Sequence, residues 1–188
     1  MNYFIDNEYL IRRKIFTIFG GAFHIYDRKQ RIVAYTKMKG FKLKEDLRLY
    51  TNEIMTEEVF RIKARNILDF SAVYDVFDFK TNAKIGALKR KGFKSMFKDE
   101  WVILDTADRE IGLIKEDSMF MALLRRFINI IPQSYNCVVN NKEVCEFKQN
   151  FNPFVMKIRV LFKDCDDVHR SLVMAGGILL CAIEGKQK

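Results

Sequence analysis

Leu172 to Ile183 reads LVMAGGILLCAI, twelve residues without a charge, an amide or a hydroxyl. Twelve residues make more than three helical turns, so the run presents apolar atoms in every direction around a helix axis. A helix of that kind must be surrounded by protein or by lipid. Spanning lipid takes about 20 apolar residues, whereas runs of about 10–14 are more often buried core. The segment is therefore read as a helix enclosed by the rest of the chain. Asp166 or Asp167 can cap its start, and Gly185 with Lys186 and Lys188 suits its end. Gly176-Gly177 costs roughly 1 kcal/mol per glycine. Burial of Leu172, Val173, Met174, Ile178, Leu179, Leu180 and Ile183 at about 1.5–3 kcal/mol each outweighs that. The glycines then mark places where other side chains press on the helix backbone.

What precedes the helix must enclose it, and it reads as a series of hairpins. A mixed first segment (YLIRRKIFTIF) contains a short strand near Glu8 to Arg13 and ends at Gly20-Gly21, taken as a turn. AFHIYD (22–27) and RIVAYTK (31–37) flank a polar corner, as do DLRLYT (46–51) and EVFRIKA (58–64). LDFSAVYDVFDF (68–79) pairs with KIGALKRK (84–91), and DEWVILD (99–105) with EIGLIKE (110–116). SYNCVVN (134–140) and KEVCEFK (142–148) meet at Asn140-Asn141, and FVMKIRVLF (154–162) is a last strand. Asn and Asp at the corners suit the left-handed conformations of tight hairpins. A weak repeat runs through these units: a strand ending in Asp or Asn, a polar corner, a second strand. Two copies share Ile-Gly, at Ile85-Gly86 and Ile111-Gly112. Ser118 to Ile131 breaks the pattern with apolar residues at helical spacing and is read as a surface helix, Arg125-Arg126 outward, closed by Pro132. About twelve strands and one wholly apolar helix have one economical solution, a closed β-barrel around the helix.

The totals agree with a single domain over residues 1–188, since 49% apolar content with 17 Phe excludes disorder. Acids at Asp6 and Glu8 and no apolar leader argue against secretion. Cys137, Cys145, Cys165 and Cys181 form no CxxC, so free thiols and a cytoplasmic protein are expected. Net charge is +9, and its placement is uneven. Seven bases and no acid lie between Arg28 and Lys44, and six bases and no acid between Lys84 and Lys98. Lys37, Lys39, Lys42, Lys44, Lys89, Arg90, Lys91, Lys94 and Lys98 are the candidate anion-binding residues, with Arg12-Arg13 or Arg125-Arg126 able to join them. They face phosphate of lipid or of nucleic acid, or they are a solvated lysine edge that blocks strand pairing.

Other chemistry finds little support. His24 and His169 have no His-Cys spacing around them, and Asp164-Cys165-Asp166-Asp167 lacks the spacing and glycine of an EF-hand loop. No metal or cofactor is expected. There is no G-x-S-x-G, no Cys-His signature and no phosphate loop leading into a helix, so no catalytic residue is assigned and the chain is not read as an enzyme. Nucleic-acid binding ranks third, behind anionic lipid and a scaffold or ligand-sensing role, because no RNP1-like signature is present.

The hairpins IYDRKQRIVAY, SAVYDVFDFKTNAKIGALKRK and WVILDTADREIGLIKED, with the Asp-rich lead into VHRSLVMAGGILLCAIEG, resemble the Tubby C-terminal-like superfamily. The LURP-one-related branch is the closest in order and spacing, over nearly the full chain. The resemblance implies a twelve-stranded barrel around a central C-terminal helix. The superfamily's functions diverge: Tubby domains bind phosphoinositide head groups through basic residues on the barrel exterior, and many LURP-one-related proteins have no assigned biochemistry. With the basic segments above, the first expectation is a peripheral module that binds phosphoinositide or other anionic phospholipid. Phospholipid scramblases belong to the same superfamily, but this chain lacks their Cys cluster and proline-rich N-terminal region, which argues against scrambling.

Overall fold

Alternation of apolar and polar side chains decides which way each strand faces. In one strand Ile158, Val160 and Phe162 are buried while Lys157, Arg159 and Leu161 take the other face. Twelve strands make up the wall: β1 (Glu8–Thr17), β2 (Gly20–Tyr26), β3 (Ile32–Lys39), β4 (Leu47–Tyr50), β5 (Glu58–Ala64), β6 (Val73–Asp78), β7 (Lys84–Arg90), β8 (Glu100–Leu104), β9 (Glu110–Glu116), β10 (Ser134–Val139), β11 (Lys142–Gln149) and β12 (Lys157–Phe162). One helix, α1 (Asp167–Ile183), follows them. On β7 and β8 both faces are buried, Ala87, Val102 and Leu104 forming a second, smaller cluster with Val73. The computed structural model describes residues 3–17, 20–39, 46–65, 72–91, 100–117, 133–150 and 155–183. The surface helix expected over 118–131 falls outside them.

Every strand pairs antiparallel with its neighbours in the chain, and β12 pairs back onto β1 with Ile11 opposite Ile158. The sheet thereby closes into an up-and-down barrel without a free edge, the architecture expected from the hairpin series. Gly20 and Gly21 differ from expectation. They open β2, paired with Thr17 and Ile15, so the connection there is residues 18–19 and the glycines belong to the ladder. The barrel wall carries Arg12, Arg48, Lys63, Lys148 and Arg159 exposed on its outer face. Its interior is largely apolar, with Arg13 and Glu116 among its few buried charged side chains. That is the inverse of a membrane-spanning barrel, whose outer band is apolar and whose lumen is polar.

The helix fills the interior. None of the apolar residues from Leu172 to Ala182 exceeds 1% exposure, and they share one core with residues of all twelve strands. Both helix glycines sit where the wall comes closest: a Cβ on Gly176 would lie 2.6 Å from Ile114 Cδ1, and one on Gly177 2.8 Å from Ile11 Cδ1 and 3.0 Å from Phe147 Cε1. The shared Ile-Gly of the repeat has a related origin, since a Cβ on Gly86 or Gly112 would strike the carbonyl of Leu104 or Val138 on the next strand. Among the described residues no helix is long and apolar enough to cross a membrane.

Asp166 caps α1, its Oδ1 accepting the His169 N–H at 2.9 Å. The helix thus starts at Asp167, a turn and a half ahead of the uncharged run, because Arg170 finds partners at the barrel mouth. Residues 3–7 cross that mouth, with Phe4 buried edge-on against Tyr9 and Phe60. Arg170 holds them there. Its guanidinium donates to the carbonyls of Phe4 (3.1 Å), Asp6 (2.7 Å) and Cys165 (3.1 Å) and to Asn7 Oδ1 (2.8 Å).

The repeat seen in sequence is a repeat of corner chemistry. Asp27 Oδ1 accepts the N–H groups of Lys29 and Arg31, and its Oδ2 accepts Arg31 Nε at 2.7 Å. Asp105 does the same with Ala107 and Arg109. Gln30 and Asp108 take equivalent places at φ 60° and 62°. Asp78 receives both the N–H and the hydroxyl of Thr81 in a corner one residue longer, and Asn140-Asn141 form a two-residue turn at φ 49° and 62°. Burial pushes the Asp27 carboxyl up, but its hydrogen bonds from Arg31 more than reverse this. Asp105 is lowered mainly by the Arg109 N–H, and Asp108 mainly by the Arg65 guanidinium. Groups depressed in the folded chain stabilise it above the pH at which free aspartates ionise, about 3.9, and stop doing so as pH falls through their folded values. The melting temperature should therefore hold steady between pH 7 and about 5 and fall below about 4. An unchanged melting temperature at pH 3 would contradict that role for the corners.

Candidate functional site

Because each neighbouring pair is antiparallel, the odd-numbered strands all run the same way and finish at one rim of the barrel. The opposite rim holds the tight corners, the N-terminal crossing and the start of α1. The two rims differ in charge balance. At the rim of corners most bases are matched by acids: Arg31 with Asp27, Arg109 with Asp105, Lys84 with Asp108, Lys163 with Glu143, Lys80 with Glu57 and Lys142 with Asp164. Exposed apolar residues there, Ile54 and Phe79, stand beside Glu53 and Asp78 in the chain. An anionic surface would meet repulsion on that side.

The far rim is built differently. Five odd-numbered strands in succession carry an outward lysine within two residues of their last: Lys37 on β3, Lys63 on β5, Lys89 on β7, Lys115 on β9 and Lys148 on β11. In four of them the residue just before is buried and faces the helix: Ile62, Leu88, Ile114 and Phe147. Strand alternation thus turns an apolar-Lys dipeptide into one anchor and one outward cation. β1 contributes Arg12, also exposed. Bases on alternate strands stand about 10 Å apart along the wall, twice the strand spacing. Among the described residues Arg12, Lys37, Lys63, Lys89 and Lys115 have no ion-pair partner, while Lys148 lies 2.9 Å from Glu146. Nearby acids are occupied or turned inward: Asp75 binds Arg65 and Lys84, Glu100 binds Lys91, and Glu116 is buried.

No protein-family model, curated protein or solved structure matches this chain.

The two basic segments singled out from the sequence are not neighbours. β3 and β7 are separated by β4, β5 and β6, a third of the way round. They share a rim instead. Lys37 and Lys89 face outward, and Lys39 ends β3. Arg90 falls on the inward face of β7 with Leu88, opposite the buried Trp101, and Lys91 lies 3.4 Å from Glu100, so these two are weaker candidates than their place in KRK suggested. Lys42, Lys44, Lys94, Lys98, Arg125 and Arg126 lie outside the described residues; the connections that carry them start from the far rim. Arg13 points into the barrel and is buried, apart from Arg12. Lys63, Lys115 and Lys148 were missed. The signal that reveals them is the recurrence of Ile-Lys, Leu-Lys, Ile-Lys and Phe-Lys at the ends of second strands in the hairpin repeat.

Residues of metal or nucleophile type are otherwise engaged. His24 faces outward under the connection from Thr51 to Glu57, its Nε2 2.5 Å from Glu53 Oε1 and its ring between Tyr26 and Tyr35. His169 Nδ1 lies 2.6 Å from Asp166 Oδ2. No three His, Cys, Asp or Glu side chains converge among the described residues. Cys137, Cys145, Cys165 and Cys181 form no disulfide, and burial pushes the Cys181 thiol up to about 12. Such a thiol is a poor nucleophile.

Proposed function

We propose that this chain is a non-enzymatic peripheral module that binds anionic phospholipid head groups, phosphoinositides included, through its basic far rim. One observation carries the reading: Arg12, Lys37, Lys63, Lys89 and Lys115 face outward round that rim without an ion-pair partner among the described residues, whereas the bases at the other rim are largely matched. The resemblance to Tubby C-terminal-like proteins of the LURP-one-related branch supports it, since the barrel around a central helix is the architecture that resemblance implies. Cytoplasmic localisation with reversible attachment to a membrane surface follows from the same reading.

A lysine near an anionic leaflet contributes about 1 kcal/mol, within a Debye length of roughly 8 Å at physiological salt. The protein should therefore co-sediment with vesicles containing phosphatidylserine or a phosphorylated phosphatidylinositol, and little with neutral phosphatidylcholine. Raising the salt to about 0.5 M should release it. Lys37→Glu with Lys89→Glu should cut binding by more than tenfold, two reversed charges each costing over 1 kcal/mol. Equal binding to neutral and acidic vesicles, or to neither, would remove the proposal.

A further inference from the structure

We infer that the far rim is a ring that reads the density of negative charge on a flat bilayer met end-on, and not a pocket for one phosphorylated head group. The inference rests on the anionic-lipid reading and adds its geometry and its specificity.

A head-group pocket needs several donors converging on one phosphate, as paired guanidinium or lysine groups do. The described ring residues do not converge. Across the ladder Lys63 lies opposite Asp75, Lys89 opposite Val102, and Lys115 opposite Glu100. Each supplies one point charge with a whole strand between it and the next. Distribution right round a closed wall also selects the shape of the partner. A rod-like duplex lying across the rim or along one side reaches part of the ring, whereas a plane facing the barrel end meets all of it. The long lysine stems suit this, since they let a charge leave the wall and reach beyond the rim. The fold encodes the ring once per hairpin: each second strand carries an outward lysine near its end, preceded in four of the five by an inward apolar residue of the core. The repeat that builds the core therefore also places the charge.

The test is a set of single substitutions around the circumference, Lys37→Gln, Lys63→Gln, Lys89→Gln and Lys115→Gln. Lys29→Gln serves as the control, an exposed lysine of the opposite rim without an ion-pair partner among the described residues. Partition onto phosphatidylserine vesicles is measured for each, with folding checked by Trp101 fluorescence. Each ring substitution should lower the partition coefficient about fivefold and to a similar degree, and Lys29→Gln should leave it unchanged. Vesicles matched in total surface charge, one set with phosphatidylserine and one with a phosphorylated phosphatidylinositol, should bind the protein within about twofold of each other. If Lys63→Gln and Lys115→Gln are silent while Lys37→Gln and Lys89→Gln are not, the ring is wrong and a one-sided lipid site stands. A strong preference for the phosphorylated lipid at matched charge likewise overturns the ring alone. No binding to any acidic vesicle, with retention of a short RNA duplex instead, overturns both proposals.

Discussion

Gly177→Leu should lower the melting temperature by roughly 6–12 °C, from a cost of about 3 kcal/mol at about 2–4 °C per kcal/mol for a chain of this size. The position has no spare room. A single Cβ would already lie 2.8 Å from Ile11 and 3.0 Å from the Phe147 ring, both fully buried. Three further carbons cannot be absorbed by a rotamer change in a ring held between neighbouring strands. Gly176→Ala should behave differently. Its closest contact, 2.6 Å, is the terminal methyl of Ile114, which can swing away, and alanine gains about 1 kcal/mol of helix propensity over glycine. The two terms nearly cancel, leaving the alanine variant within about 1 kcal/mol of the parent. Thermal unfolding of both variants separates a helix gripped all round from one packed on a single side. An unchanged melting temperature for Gly177→Leu would mean that β1 and β11 do not close on the helix.

The helix was readable because burial on every side leaves no polar stripe, and nothing but enclosure satisfies such a sequence. The hairpins were readable for a related reason: Asp27, Asp78 and Asp105 each bind the N–H groups of their own corner, and that need writes Asp at the end of the first strand each time. Strand ends were less legible. Gly20-Gly21 looks like a turn but is a ladder segment, since pairing across β1, β2 and β3 depends on partners distant in sequence. The basic rim was half legible. Lys37 and Lys89 stand in acid-free runs and attract notice. Lys115 is followed by Glu116 and Asp117, so a linear count of charge cancels it. In the fold Glu116 turns inward and Asp117 meets Asn136, which leaves Lys115 outward and unmatched. Charge along a chain and charge around a barrel are different quantities, because alternation sorts neighbouring residues onto opposite faces.

The same sorting explains why the barrel is polar along its axis. Three of the corners use a carboxylate, that of Asp27, Asp78 or Asp105, to bind their backbone N–H groups, and each of these brings an acid to its own rim. Lysines at the other ends of the strands face no such requirement. A chain of repeated hairpins thus accumulates acid at one rim and unmatched base at the other. The helix respects this polarity, with Asp166 at its start on the acidic side and Arg13 buried beside Cys181 toward its end, where the dipole favours a cation.

Arg170→Ala is the second substitution expected to be severe, at about 3–5 kcal/mol and a fall of roughly 6–20 °C in melting temperature. Arg170 is the one long polar side chain of α1 drawn under the N-terminal crossing, 9% exposed, with its guanidinium 4.7 Å from the Phe162 ring centroid. It satisfies the carbonyls of Phe4, Asp6 and Cys165 together, and removing it leaves acceptors at a mouth that water reaches poorly. Loss of the crossing would also expose Phe4 and Tyr9, whose phenol oxygen accepts the Asp6 N–H at 2.8 Å. Lysine should not restore stability, because an ammonium is a point charge and cannot reach four acceptors in a planar fork. Hydrogen exchange gives the confirming measurement: in Arg170→Ala the amides of residues 6–9 should lose protection before those of β5 to β9. A melting temperature within about 2 °C of the parent would show that the crossing is held by Phe4 alone and that the arginine contributes under about 1 kcal/mol.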